Sequence, residues 1–258
     1  MRAARGGPAA RRAHYLAALG IDLWTARLRP AAAAAGAAGA AGAAPAMPAP
    51  RPAPTEEQLA SAPCAVAPLG PGWEELRAQV RDCRRCGLCE GRTQTVFGVG
   101  SAQAELLVVG EAPGAEEDRQ GEPFVGRAGQ LLNSMLVALG RPRETVFIAN
   151  ILKCRPPGNR DPSPAEVASC LPYLQRQIQL LGPRLILVVG RIAAQSLLAT
   201  DTSIGRLRGQ LHRYGTQATP MVVTYHPAYL LRSPVEKRRA WADLKAARAE
   251  LASDAAGA

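Results

Sequence analysis

A chain of 258 residues with 25 Gly, 22 Pro and 47% apolar residues can bury one medium core beside irregular chain, and needs no second domain. The net charge of +10 suggests a polyanion binder, but seven Arg against one Asp in residues 1–54 supply +6 of it, leaving a mildly basic +4 for the rest. No apolar run nears the roughly 18 residues that cross a bilayer, and six cysteines without a secretory apolar core point to a reducing, cytoplasmic setting and metal ligation rather than disulfides, with an organellar transit peptide the lesser alternative for the Arg-rich, acid-poor start.

Residues 1–70 read as a disordered Ala/Pro/Gly-rich extension, because 30–54 is almost all Ala, Gly and Pro and cannot bury enough surface to offset chain entropy. Within it, residues 11–29 carry an apolar island (Tyr15, Leu16, Leu19, Ile21, Leu23, Trp24), expected to be either a docking segment for a protein partner or a frayed end. The folded domain, 71–258, opens with a helix from Trp73 to Arg84 that closes at Cys86-Gly87. Leu106 to Val109 is a strand buried on both faces, ended by Gly110 and followed by an acidic loop. A helix from Ala128 to Leu139, a strand from Val146 to Ala149 and a Pro-rich loop after Cys154 come next. Ser163-Pro164-Ala165-Glu166 is a capping box that starts a helix carrying Cys170, with Pro172 expected to kink it. Leu185 to Val189 and Met221 to Thr224 are further strands, separated by a short helix over Ile192 to Leu198, and a helix over Val235 to Leu251 ends the domain. Strands alternating with helices give an α/β fold, a three-layer sandwich with a mostly parallel central sheet. Glu111, Asn150 and His226 each lie within two residues of a strand end, so they should meet at one rim, where open α/β sheets bind ligands.

Cys83 and Cys86 are two residues apart, 67 residues separate Cys86 from Cys154, and 15 separate Cys154 from Cys170. Two pairs of thiolates can wrap one centre, an iron-sulfur cluster or zinc; the wide second pair favours a cluster, and Cys89 is a third candidate in the first group.

Each polar residue near the rim has a chemical and a structural reading. His226 can donate to a developing anion or simply satisfy a backbone group. Asn150 can read the edge of a base, or serve as a turn residue. Phe124 is a stacking face or core. Glu111, Glu116, Glu117 and Asp118 can orient a water, or form a solvated turn. Lys153, Arg155, Arg160, Arg206, Arg208, Arg213, Arg232 and Lys237 can hold phosphates, or be scattered surface charge.

Taken in order, Gly110-Glu111-Ala112-Pro113-Gly114, Pro123-Phe124-Val125-Gly126, Asn150-Ile151-Leu152-Lys153-Cys154-Arg155-Pro156-Pro157 and His226-Pro227-Ala228-Tyr229-Leu230-Leu231 closely resemble the family 4 uracil-DNA glycosylases over residues 73–250. The resemblance implies an α/β/α sandwich, a 4Fe-4S cluster on Cys83, Cys86, Cys154 and Cys170, and hydrolytic removal of uracil from single- or double-stranded DNA. It further implies that Phe124 stacks on uracil, Asn150 reads its polar edge, His226 lies near its O2, and Glu111 and Glu117 belong to the active-site loop with Gly110 and Ala112. Leu230, or Leu231 in its place, would fill the vacated base stack. Related families carry Asp or Asn at the position of Ala112, so the group that positions water is left open. A related group that bonds covalently to uracil-DNA has a basic, His-containing insertion that is missing between Cys154 and Ser163.

A base-excision enzyme leaving an abasic site, without strand cleavage, is therefore expected, working as a monomer at the bacterial nucleoid. The competing class is a non-catalytic iron-sulfur nucleic-acid binder of the same fold. A nucleotide hydrolase is disfavoured, because the phosphate-loop pattern is missing.

Overall fold

The computed structural model describes residues 72–253. The expected extension, 1–70, with its 11–29 segment and Cys64, lies outside the described residues. Helix α1 (Trp73–Arg81), burying Leu76 and Val80, leads into a one-turn helix α2 (Leu88–Gly91). Strands β1 (Val99–Gly100) and β2 (Leu106–Gly110), helices α3 (Ala115–Gln120) and α4 (Arg127–Leu139), and strand β3 (Phe147–Asn150) complete the first half. The second half holds α5 (Pro164–Leu181), β4 (Leu185–Val189), α6 (Arg191–Leu198), α7 (Ile204–Leu207), β5 (Leu211–Tyr214), β6 (Thr219–Thr224), α8 (Pro227–Arg232) and α9 (Lys237–Ser253).

The six strands form one sheet in the order β1-β3-β2-β4-β6-β5. The four inner strands are parallel, and the two edge strands run antiparallel to their neighbours. Side chains alternate along each inner strand between two cores, as the period of two requires. Leu107, Val109, Ala149, Ile186, Val188, Met221 and Val223 face one side, packed with residues of α1, α5 and α6. Leu106, Val108, Ile148, Leu185, Leu187, Val189 and Val222 face the other, against α4 and α9. The expected three layers follow from this alternation.

The capping box expected at Ser163 is present: its hydroxyl accepts from Glu166 N at 3.3 Å and Glu166 accepts from Ser163 N at 2.8 Å. Helix α5 runs unbroken through Pro172. The acidic loop after β2 is in part a helix, α3, whose first turn carries Glu116, Glu117 and Asp118 against the positive end of the helix dipole. Among the described residues no helix is long and apolar enough to cross a membrane.

Candidate active site and cysteine cavity

Parallel register brings the ends of β2 and β3 side by side, with Gly110 directly opposite Asn150. Strand β6 ends at Thr224, and His226 two residues later starts α8. The Asn150 side chain is buried, 3% exposed, and its Oδ1 has no hydrogen-bond partner. A buried acceptor left unpaired costs about 1–3 kcal/mol, a cost that an incoming hydrogen-bond donor would remove. The bare Cα of Gly110 makes the arrangement possible: a Cβ there would lie 2.4 Å from Asn150 Oδ1 and 2.6 Å from the Phe124 ring. Gly110, Asn150 and Phe124 therefore converge on one spot, and the Phe124 ring stacks on His226 with centroids 5.6 Å apart and planes at 30°.

His226 Nδ1 accepts from Ala228 N at 3.1 Å, capping α8, which places the ring proton on Nε2. Burial, reinforced by the charge of Arg232, pushes the imidazole pKa down to about 4, so the ring is neutral at physiological pH. Gly190, at φ +106, lets the ring sit close: a Cβ there would be 3.2 Å from His226 Cβ. Upstream, Thr224 Oγ1 donates to Asp243 Oδ2 at 2.9 Å, and Arg208 forks onto the same carboxylate at 2.8 and 3.1 Å, fastening the end of β6 to α9.

Glu111, half-buried just past β2, has its pKa raised to about 7, first by burial and then by the charge of Asp161, with Arg191 opposing. Its carboxyl thus titrates in the working range. Between the ordinary value of 4.5 and about 7, the unfolded chain gives up this proton while the folded one keeps it, so folding stability contributed here falls as pH rises through that window. Glu111→Gln should accordingly raise Tm at pH 8 and leave it unchanged at pH 4; equal shifts at both pH values would show that the carboxyl is not perturbed. Glu117 is placed differently. Its Oε2 accepts from Gly114 N, capping α3, and its Oε1 from Val125 N, both at 3.1 Å, so it ties the start of α3 to the backbone just after Phe124.

Cys83, Cys86, Cys89, Cys154 and Cys170 are all unpaired thiols and line one cavity, walled by Val80, Leu88, Leu152 and Tyr173. Burial pushes the Cys170 thiol up to about 12 and also raises Cys154 and Cys86. Thiolates in such a place need a cationic centre to compensate them. Three N–H groups already point at sulfur: Arg92 Nη1 to Cys154 at 3.1 Å, Lys153 N to Cys170 at 3.2 Å and Arg85 N to Cys83 at 3.5 Å. Among the described residues no three His, Cys, Asp or Glu side chains converge as a single ion requires. Thiols sharing one cavity are donors that either an iron-sulfur cluster or zinc accepts.

Some expected contributors sit elsewhere. Leu230 is 1% exposed and belongs to the core beneath the sheet, because the turn of α8 points it inward; Leu231 is half-buried and Tyr229 is exposed. Lys153 and Lys237 are buried and Arg208 is committed to Asp243, so none of the three offers a surface cation for phosphate. Lys153 Nζ instead donates to Asn150 O at 2.9 Å and to Gln177 Oε1 at 2.6 Å, while Gln177 donates to Phe97 O at 2.9 Å. The sequence reading missed Gln177, hidden as an ordinary polar residue in a helix, and Arg92, whose one signal was a guanidinium close behind the first cysteine group. Arg206 and Arg232 are exposed, while Arg155 is half-buried with its Nε donating to Asn159 Oδ1 at 2.7 Å.

The family model of the uracil DNA glycosylase superfamily matches residues 97–245. The type-4 uracil-DNA glycosylase of Archaeoglobus fulgidus is 42% identical over 179 residues, covering 67% of this chain and 89% of that one. That of Sulfurisphaera tokodaii is 42% identical over 168 residues, 62% and 76% of the two chains. The type-5 uracil-DNA glycosylase of Thermus thermophilus is more distant, 34% identical over 119 residues, 40% and 54%. With more than half its length matched by the family model, and its motif residues gathered at one strand-end rim, the chain belongs to the uracil DNA glycosylase superfamily and, within it, to the type-4 family.

Proposed function

We propose that the protein is a DNA-repair enzyme that hydrolyses the N-glycosidic bond of uracil in DNA, releasing free uracil and leaving an abasic site. The observation that carries this reading is the buried, unpartnered amide oxygen of Asn150 beside the Phe124 ring, since a planar base with donor and acceptor edges satisfies both. Breaking the bond leaves positive charge on the sugar and negative charge on the departing base, so stabilisation must come from preorganised dipoles. The target nucleotide is flipped out of the stack, its base lies against Phe124, and Asn150 reads its edge. Neutral His226, its proton held on Nε2, donates to the anion that develops on uracil. Glu111, ionised above about pH 7, positions the water, while Glu117 keeps the loop in shape.

The test is single-turnover incubation with an oligonucleotide carrying one deoxyuridine. Excision yields an alkali-labile site; a shifted but intact strand would leave only a nucleic-acid binder. If Glu111 acts as an anion, the rate rises with pH through about 7, and Glu111→Gln loses that limb.

We assign Cys83, Cys86, Cys154 and Cys170 as the ligands of a 4Fe-4S cluster, supported by the shared cavity and the N–H groups aimed at three of the four sulfurs. When bound, the cluster supplies a fixed cross-link between α1's end, the loop after β3 and α5. Purified protein is expected to be brown, with about four irons per chain; colourless protein with stoichiometric zinc would overturn the assignment. The reading extends to a monomer acting on DNA at the nucleoid.

A further inference from the structure

Phe124 has a φ of +56, a left-handed conformation that bulky side chains seldom adopt. Such a backbone persists only where its surroundings hold it in place. Two of the restraints come from the neighbouring helices. Gly129, in the first turn of α4, lets the loop approach, since a Cβ there would lie 1.8 Å from Phe124 O. Glu117 of α3 holds the next amide, Val125 N, at 3.1 Å.

The third restraint is Arg143. It sits in a single 3-10 turn, Arg143–Thr145, directly before β3, and nothing in its sequence context marks it as functional. Its Nη2 donates to Pro123 O at 2.7 Å, and its Nη1 donates to Asn133 Oδ1 of α4 at 3.2 Å and, at a longer 3.4 Å, to Phe124 O. The guanidinium is half-buried and none of these partners is a carboxylate; its hydrogen bonds go to the loop backbone and one amide. Of the three restraints only this one starts from the chain entering β3, the strand that presents Asn150 at its far end. It therefore ties the stacking ring and the reading amide to one rigid piece. A base captured between them needs that spacing settled beforehand, because a ring that must be ordered at the moment of capture costs binding free energy. A planar fork holds two successive carbonyls in one fixed geometry, whereas an ammonium on a flexible stem is a point charge that fixes no orientation.

We propose that Arg143 is a positioning residue that preorganises Phe124 opposite Asn150 for base capture. This rests on the reading of Phe124 as the stacking face. The test compares wild type, Arg143→Met, Arg143→Lys, Phe124→Leu and the Met/Leu double variant in single-turnover excision at rising enzyme concentration, with Tm as a control for folding. Arg143→Met should raise the half-saturating concentration about tenfold with the saturating rate nearly unchanged, and Arg143→Lys should fall between it and wild type. The double variant should be no weaker than Phe124→Leu alone, since a clamp on a missing ring has nothing left to position.

Wild-type behaviour in Arg143→Met, or penalties that multiply in the double variant, would overturn the inference. If Arg143→Met does not fold, Arg143→Lys decides alone: a wild-type half-saturating concentration refutes the clamp. Failure of the underlying reading shows separately, as wild-type protein that releases no uracil or as a Phe124→Leu variant with unchanged capture, and either result removes this inference as well.

Discussion

Asn150→Asp is expected to cut uracil excision by roughly 10²- to 10³-fold, the scale of losing a preorganised donor at a charge-bearing atom, while affinity for the DNA backbone holds. The side chain is buried with its amide oxygen unpaired, and its place is fixed on both sides: by the register with Gly110 and by Lys153 Nζ on its carbonyl. Asp keeps the shape, loses the amide donor, and sets a carboxylate where the departing base turns negative. Single-turnover rates at saturating enzyme, beside a binding titration, separate the two effects. Excision close to wild type would remove Asn150 from the recognition site, and a parallel loss of binding would mean that the variant has disturbed the rim at large. Asn150→Ala serves as the control that deletes the donor without adding charge.

His226→Ala is expected to lower excision by roughly 10²-fold or more. With Nδ1 committed to Ala228 N, the imidazole can offer only its Nε2 proton, and burial holds the ring neutral down to about pH 4. A neutral donor suits a base that leaves as an anion, because it needs no protonation to act across the physiological range. Two limbs should then appear in the pH profile of the wild-type enzyme: one near 7 from Glu111, and a second near 4 from His226. The stability sign for the histidine is opposite to that of Glu111. Its folded pKa lies below the usual 6.5, so its contribution is complete above 6.5 and is lost as pH falls toward 4. His226→Ala should thus flatten the decline of Tm between pH 6.5 and 4. Near wild-type excision in this variant would sink the anion-stabilising role.

The parts of this site legible in the sequence were those written in local chemistry. Runs of branched residues announced β2 and β4, the Ser163–Glu166 pair announced the start of α5, and strand ends placed Glu111, Asn150 and His226 at one rim. The edge strands were not legible. β1 has two residues, and β5 alternates exposed and half-exposed positions with only its pairing to β6 to define it. Direction of burial was equally hidden: Leu230 turns inward, and Lys153 spends its ammonium on backbone and amide groups inside the core, because both outcomes depend on what packs against α8 and β3. No local pattern foretells the left-handed backbone of Phe124, which is imposed by partners from three separate segments.

Asn150 and Cys154 are separated by only three residues, and one of those three, Lys153, has its side chain on Asn150 and its amide on Cys170. The strap that displays Asn150 is thus the same strap that lines the cysteine cavity. Under the proposed cluster, a substitution in this strap would be felt at both places, so iron content and excision should be measured together in any variant of residues 151–153.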